Sequence, residues 1–88
     1  MEVRYNKKFL RELANLPEPT REKAENFVFH QIKSWSTLKE IPKIKKLSGY
    51  KYYYSIRLGQ YRAGVRIENN ILIFERIMHR KDIYKYFP

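Results

Sequence analysis

The sequence contains no cysteine among its 88 residues, which excludes a disulfide framework and thiolate metal sites. The absence of cysteine is consistent with a reducing compartment. No stretch approaches the roughly 18 consecutive apolar residues of a membrane span. The first residues, MEVRYNKKFL, lack the apolar segment of a signal peptide. We therefore expect a cytoplasmic protein with no membrane partner.

Acidic residues are also scarce. Nine Asp and Glu stand against nineteen Lys and Arg, so the net charge is +10. Residues 1–44 contribute +3 and residues 45–88 contribute +7, which indicates a polyanionic partner bound mainly by the second half. The few acids are scattered, and no HExxH, P-loop or acidic metal motif is present. We therefore expect no metal and no cofactor. The scattering of the acidic residues also argues against two-metal nuclease chemistry.

The remaining composition predicts one folded domain over residues 1–88. A chain of this length has room for a single core. Hydrophobic residues make up 43% and aromatic residues 16%, more than disordered chains contain.

The hydrophobic pattern predicts an α+β fold in the order β-α-α-β-β-β. Val3 and Tyr5 alternate with charged residues as in a strand, and Asn6 can cap the helix that follows. A second helix is predicted after Thr20 as its cap, and residues 34–42 read as a loop or a frayed helix end. Three strands form a meander, followed by a short basic-aromatic tail, His79–Pro88. We expect a small sandwich, with the two N-terminal helices packed on one face of an antiparallel sheet.

Two turn signals set the register of this meander. Gly59-Gln60 predicts a type II′ turn and Asn69-Asn70 a type I′ turn. Arg57 then faces Arg62, Ser55 faces Gly64, and Tyr53 faces Arg66. On the third strand Gly64 meets Glu75, Arg62 meets Ile77, and His79 follows on the same face. The opposite, core face is expected to hold Tyr52, Tyr54, Ile56, Leu58, Tyr61, Ala63, Val65, Ile67, Leu72, Phe74 and Met78, with Arg76 as an outlier.

The non-core side of the meander collects arginines. Two like charges directly opposite each other destabilise a sheet by up to about 1 kcal/mol, so Arg57 against Arg62 needs a reason. A phosphate ligand supplies one, because guanidinium groups bind phosphate bidentately. Gly64 would let that ligand approach the sheet. The alternative is a solvated charged face.

The tail adds groups that can transfer protons. As a histidine, His79 is a candidate proton-transfer group, and a tyrosine beside cations can donate a proton. The tyrosines could instead pack, form an interface or stack on bases.

The lysines before the sheet are either solvated or extend a polyanion footprint. RNA binding is assigned to Lys43, Lys45, Lys46, Lys51, Arg66, Lys81 and Tyr86.

Two long runs resemble the RelE/ParE superfamily of bacterial toxin–antitoxin toxins. They are LSGYKYYYSIRLGQYRAGVRI (Leu47–Ile67) and ILIFERIMHRKDIYKYF (Ile71–Phe87). The resemblance includes the two N-terminal helices, and its most specific pieces are the L-x-G, the IRL…YRAGV hairpin and the terminal HRKDIY. RelE-branch toxins are mRNA endonucleases that usually cut in the ribosomal A site, whereas ParE-branch toxins poison DNA gyrase. The histidine and tyrosine in the tail favour the RelE branch.

The resemblance implies a metal-free reaction in which a ribose 2′-hydroxyl attacks the adjacent phosphate. By position, the resemblance assigns transition-state stabilisation to Arg57, Arg62 and Arg80, and the general acid to Tyr84 or, by spacing, Tyr86. RelE has a lysine, proposed as general base, at the position of Ser55. His79 is our replacement candidate for the base, and Lys51 a weaker one.

The resemblance also implies partners. They are a cognate antitoxin, whose acidic residues would cover the arginines, together with mRNA and the ribosomal A site. Two alternatives remain: a ParE-like gyrase inhibitor without nuclease activity, and a non-catalytic RNA-binding module.

Overall fold

A five-stranded sheet carries two helices on one face and a short C-terminal helix on the other. The computed structural model describes residues 1–88, and no helix in it is long and apolar enough to cross a membrane. The elements are β1 (Glu2–Tyr5), α1 (Lys7–Ala14), α2 (Thr20–Phe29), β2 (Ile44–Lys46), β3 (Tyr53–Leu58), β4 (Tyr61–Glu68), β5 (Ile71–His79) and α3 (Ile83–Tyr86). The strand order is β1-β5-β4-β3-β2.

The α+β prediction is confirmed, with two differences in the sheet. β1 pairs with β5 in parallel, Glu2 beside Ile71, so the sheet is mixed where we predicted an antiparallel one. β2 is an additional edge strand, antiparallel to β3, and it falls within the basic run that the pattern left unstructured. Residues 34–42, predicted as a loop or a frayed helix end, contain a short 3₁₀ helix at Leu38–Glu40.

Of the two helix caps predicted from the sequence, one is correct and the other is wrong. The Asn6 side chain accepts a hydrogen bond from the Phe9 amide at 2.8 Å, which confirms the predicted cap of α1. Thr20 does not cap α2, because it is already the first helical residue and Pro19 holds the cap position. The Pro17 carbonyl accepts from the Arg21 amide at 2.9 Å, so backbone oxygens before Thr20 already satisfy the first turn.

The main core lies between the sheet and the two N-terminal helices. Phe9 and Phe74 pack at a ring-centroid distance of 5.1 Å, and Tyr5 stacks against Phe74 at 5.5 Å. The Tyr5 hydroxyl donates to the Val28 carbonyl, which ties β1 to α2. The fully buried residues of this core include Phe9, Leu13, Val28, Ile32, Ile56, Val65, Leu72, Phe74 and Ile77. The helices therefore cover one face and leave the other for α3.

Both predicted turns are confirmed by the backbone. Gly59 has a φ of 63°, as a type II′ turn requires at its first central position. Asn69 and Asn70 have φ values of 51° and 62°, the two positive angles of a type I′ turn. The β3–β4 register is confirmed at every predicted pair, including Arg57 opposite Arg62.

The β4–β5 register is correct only up to a bulge. Val65 pairs with Phe74 but Gly64 pairs with Arg76, so Glu75 is the extra residue. Beyond it each β5 side chain lies on the face opposite to the predicted one. Ile77 is therefore buried in the main core, and Met78 packs on the other side of the sheet.

Two other features of the predicted core face change. Tyr52 is half exposed because β3 begins only at Tyr53. Arg76, predicted as an outlier on the core face, instead pairs with Gly64 on the opposite face.

The Glu12 carboxylate closes the part of the β5 edge that β1 leaves free. It accepts from the Ile77 amide at 3.1 Å and from Nη2 of Arg76 at 2.8 Å. Its hydrogen bond with Arg76 raises the pKa of that guanidinium. Both side chains are less than a quarter exposed, so the pair is shielded from water.

We expect Glu12→Ala to lower the free energy of unfolding by about 2 kcal/mol, because it leaves a charge and a strand amide unsatisfied. Urea denaturation measures the change. The matched control is Glu18→Ala, which breaks the exposed pair with Arg21 and should cost less than about 1 kcal/mol. Equal losses in the two variants would contradict a special role for Glu12.

Candidate functional site

A basic pocket opens on the face of the sheet opposite α1 and α2. We call it the arginine pocket. Its volume is about 520 Å³, within the range of ligand-binding pockets. It is lined by Lys43, Ile44, Lys45, Ser55, Arg57, Arg62 and Tyr84. Three strands and the C-terminal helix thus contribute to one site.

Two arginines face each other across the β3–β4 hairpin without a carboxylate between them. Nη1 of Arg62 donates to the carbonyls of Gly59 and Tyr61, each at 2.9 Å, which holds its guanidinium against the turn. Arg57 is exposed, and neither arginine takes part in any of the ion pairs of the protein. Such an uncompensated pair is stabilised by binding an anion.

Tyr84 reaches this pocket from α3. Its hydroxyl lies 3.2 Å from the Ser55 hydroxyl, and Ser55 is buried, with 3% of its surface exposed. Tyr86 does not line the pocket and is 61% exposed. Of the two tyrosines that the sequence left open, the structure brings only Tyr84 to the arginines.

The C-terminal helix is attached by a small second core. Ile83 and Phe87 are buried against Leu47, with Tyr53 and Met78 beside them. This packing places Tyr84 over Ser55. From the sequence, Ser55 is only a position without a lysine. Its hydrogen bond depends on where the tail packs, which no local pattern indicates.

Gly64 does not admit a ligand to the sheet, contrary to our prediction. The Phe87 ring lies directly over it, so close that a Cβ added at Gly64 would sit 2.7 Å from the ring. Glycine is required here because the C-terminal tail, and not a phosphate, approaches the backbone.

Arg66 is separated from the other two arginines. Its Nε donates to Glu75 at 2.8 Å, and Nη1 pairs with Glu68. Phe87 covers the strand between Arg62 and Arg66, at Gly64. The predicted arginine face is therefore divided by the tail, and Arg66 does not line the pocket.

His79 lies on the other side of the sheet from the predicted one. It pairs with Tyr61, and the two rings meet edge to face at a centroid distance of 5.5 Å. Its Nδ1 accepts from the Lys81 amide at 3.2 Å. The bulge at Glu75 causes this exchange of faces, so the predicted position of His79 beside Arg57 and Arg62 is wrong.

The remaining predicted site residues are dispersed, and they include Arg80, which was predicted to stabilise the transition state. Lys46 pairs with Tyr54, which packs on the main core, so it points away from the arginine pocket. Lys51 lies over the Tyr52 ring, 5.5 Å from its centroid. The Arg80 amide donates to the Gln60 carbonyl at 2.8 Å, which anchors Arg80 beside the β3–β4 turn. Lys81 and Tyr86 are exposed.

Lys43 adopts an unfavourable backbone conformation at the pocket. Its φ is 60°, a left-handed angle that costs roughly 1–2 kcal/mol for a residue with a side chain. Its carbonyl accepts from the Arg57 amide at 3.2 Å, so this turn fixes the start of β2 against β3.

Lys43→Gly should raise the free energy of unfolding by about 0.5 kcal/mol, since relief of the left-handed angle exceeds the entropy cost of glycine. The same change should weaken RNA binding by removing a cation. Thermal unfolding and a filter-binding assay measure the two effects. Lys45→Gly is the control, because its extended conformation in β2 gives glycine no advantage, and it should destabilise. Loss of stability in Lys43→Gly would contradict the strain argument.

A larger groove of about 630 Å³ lies on the helix side of the sheet, between α2 and the β3–β4 turn. It shares Lys43 and Arg57 with the arginine pocket and has Phe27 and Tyr61 among its apolar lining. No three acidic or histidine side chains come together as a metal site would need.

Comparison with known proteins gives consistent matches. Residues 3–84 match the family described as the ParE toxin of the type II toxin–antitoxin system, parDE. The chain is 36% identical over 89 residues to Toxin RelE3 of Methanocaldococcus jannaschii, and the match covers all of both chains.

Two solved toxin–antitoxin complexes contain chains that share this fold. The RelB–RelE antitoxin–toxin complex from Methanococcus jannaschii matches with a TM-score of 0.77 and 34% identity, over 96% of this chain and 98% of that one. The toxin–antitoxin complex RelBE2 from Mycobacterium tuberculosis shares the fold, with a TM-score of 0.70, 24% identity, and coverage of 90% and 96%.

Proposed function

The chain belongs to the ParE toxin family of type II toxin–antitoxin systems, is RelE-like along its whole length, and on this basis we propose that it is an mRNA endonuclease. It is the toxin of a toxin–antitoxin pair. The proposed reaction is metal-independent cleavage of mRNA in the ribosomal A site, which would stop translation.

One observation carries this proposal. Arg57 and Arg62 face each other unpaired, and Tyr84 shares their pocket. The arginines supply the fixed positive charge that a phosphorane transition state needs. A tyrosine hydroxyl supplies the proton that a leaving oxygen needs. A module that only binds RNA would need no proton donor, although its tyrosine could stack on a base.

The residues define the following steps. The arginines bind the non-bridging oxygens of the scissile phosphate. The 2′-oxygen attacks phosphorus, the bond from phosphorus to the 5′-oxygen breaks, and Tyr84 gives its proton to that oxygen. The products are a 2′,3′-cyclic phosphate and a free 5′-hydroxyl. Arg80 does not line the pocket, but its amide is held beside the turn that also holds Arg62, and we assign its side chain as a further cation near the phosphate.

The partners follow from the same charge distribution. A cognate antitoxin is expected to place carboxylates against Arg57 and Arg62, blocking the pocket and neutralising it. Lys46, Lys51 and Lys81 are exposed outside the pocket and would contact ribosomal RNA or flanking mRNA.

Gyrase inhibition is the second candidate function, because the family that matches this chain is described as the ParE toxin. It needs no cleavage chemistry. It therefore predicts inhibited supercoiling and intact mRNA after expression of the chain.

Primer extension on mRNA after induction tests the proposal. We expect discrete cuts within translated codons and a product that carries a cyclic phosphate. Co-expression with the antitoxin should abolish both the cuts and the growth arrest. Intact mRNA together with DNA damage would replace this proposal with the gyrase alternative.

A further inference from the structure

The proposed reaction requires a group that accepts the proton of the 2′-hydroxyl, and few side chains of the arginine pocket can do so. Arginine does not lose its proton in proteins. Ser55 is buried, and its hydroxyl is hydrogen-bonded to the hydroxyl of Tyr84. His79 lies on the opposite face, and Glu75 is paired with Arg66. Tyr84 is assigned to the leaving oxygen, so only the two pocket lysines remain.

Lys45 has the better position of these two. In the β2–β3 register it lies directly opposite Ser55, so its side chain leaves the sheet on the pocket side. Lys43 lies at the rim, where the pocket meets the groove on the helix side. Lys45 is thus one strand away from the residue that holds Tyr84.

The sheet order also brings Lys45 and Tyr84 to the pocket from opposite directions. β2 flanks β3 on its outer edge, while the segment that carries Tyr84 follows β5, two strands away in the other direction. Both side chains converge on Ser55 in β3. In-line displacement needs the attacking and leaving oxygens on opposite sides of phosphorus, which suits a base and an acid that approach the pocket from opposite directions.

We propose that Lys45 is the general base of this enzyme, a role that rests on the nuclease function proposed above. Neutral Lys45 takes the 2′-hydroxyl proton at Nζ as the 2′-oxygen bonds to phosphorus. The bond to the 5′-oxygen breaks, and that oxygen takes the Tyr84 proton. Lys45 ends protonated and Tyr84 ionised, and both are restored by exchange with water, because both are exposed. Lys43, Arg57 and Arg62 lie in the same pocket as Lys45.

Single-turnover cleavage of mRNA on programmed ribosomes tests this role. Lys45→Ala should cut about 100-fold more slowly, in line with the usual contribution of a general base. Lys45→Arg should be equally slow, because arginine keeps the charge but cannot accept a proton. Lys39→Ala is the matched control, since it removes an exposed lysine that does not line the arginine pocket and should cleave within about threefold of wild type.

Two further readouts separate a base from a phosphate-binding cation. Small primary amines added to Lys45→Ala should restore cleavage, with a rate that rises with the basicity of the amine. A substrate with a 5′-thiolate leaving group needs no proton on the leaving atom. It should therefore restore Tyr84→Phe while Lys45→Ala stays slow.

The outcomes distinguish this proposal from the one it rests on. If wild type leaves mRNA intact, the nuclease function itself is wrong. If wild type cleaves but Lys45→Arg is as active as wild type, Lys45 is a docking cation and the base assignment is overturned. Failure of every amine to restore Lys45→Ala, or rescue of Lys45→Ala by the thiolate substrate, overturns the base assignment as well.

Discussion

Replacing Arg57 by glutamine is expected to make the protein slightly more stable and nearly inactive. Cleavage should fall by about 10²–10³-fold, the usual effect of removing one preorganised donor to a transition-state charge. The free energy of unfolding should rise by up to about 1 kcal/mol, because the repulsion across the hairpin with Arg62 is relieved.

The control for Arg57→Gln is a second loss of positive charge outside the site. Arg21 pairs with Glu18 and Glu25 on the helix side, so Arg21→Gln should lose a little stability and keep full activity. Urea denaturation and single-turnover cleavage measure both variants. A destabilised but active Arg57→Gln would show that Arg57 is a structural residue. The nuclease proposal would then lose the observation on which it depends.

The second large effect is expected from Gly64→Ala, a change of one methyl group. The added carbon would overlap the Phe87 ring, which forms part of the small core beneath α3. We expect a loss of about 1–3 kcal/mol in the free energy of unfolding, as for other overpacked sites. Cleavage should fall more than tenfold, because displacing α3 moves Tyr84 away from Ser55.

A double-mutant cycle tests the cause of this effect. Phe87→Ala alone should also weaken the attachment of α3. Adding Gly64→Ala to Phe87→Ala should then cost almost nothing, since the ring that clashes has gone. Fully additive losses would show that Gly64 is needed for a reason other than its contact with Phe87.

The β3–β4 hairpin, and with it the Arg57–Arg62 pair, could be predicted because its register is set locally. Gly59 fixes the turn, and the alternation of apolar residues on both strands allows only one register. The predicted pairing is correct at each position from Tyr53 to Leu58. Three of the seven residues that line the arginine pocket, Ser55, Arg57 and Arg62, come from this one hairpin.

The positions of His79 and Arg66 could not be predicted because they depend on non-local contacts. Around Glu75 the alternation fails at Arg76, which falls on the predicted core face, but this irregularity alone does not show where an extra residue lies. The bulge is accompanied by contacts far apart in the chain: Glu12 holds Arg76 and Ile77 from α1, and Phe87 covers Gly64. Similarly, β2 has only three residues, too few for an alternation to be recognised, so Lys45 opposite Ser55 became visible only in the sheet.

The bulge also determines which genetic changes this protein tolerates. Because Glu75 is one residue inserted into β5, everything after it depends on chain length more than on residue identity. Substitution of Glu75 would change an ion pair, whereas deletion of its codon would exchange Ile77 with Met78 and carry α3 toward the wrong face. Substitution of Glu75 is therefore tolerated at the cost of an ion pair, but single-codon insertions or deletions in β5 would detach Tyr84 from the rest of the site.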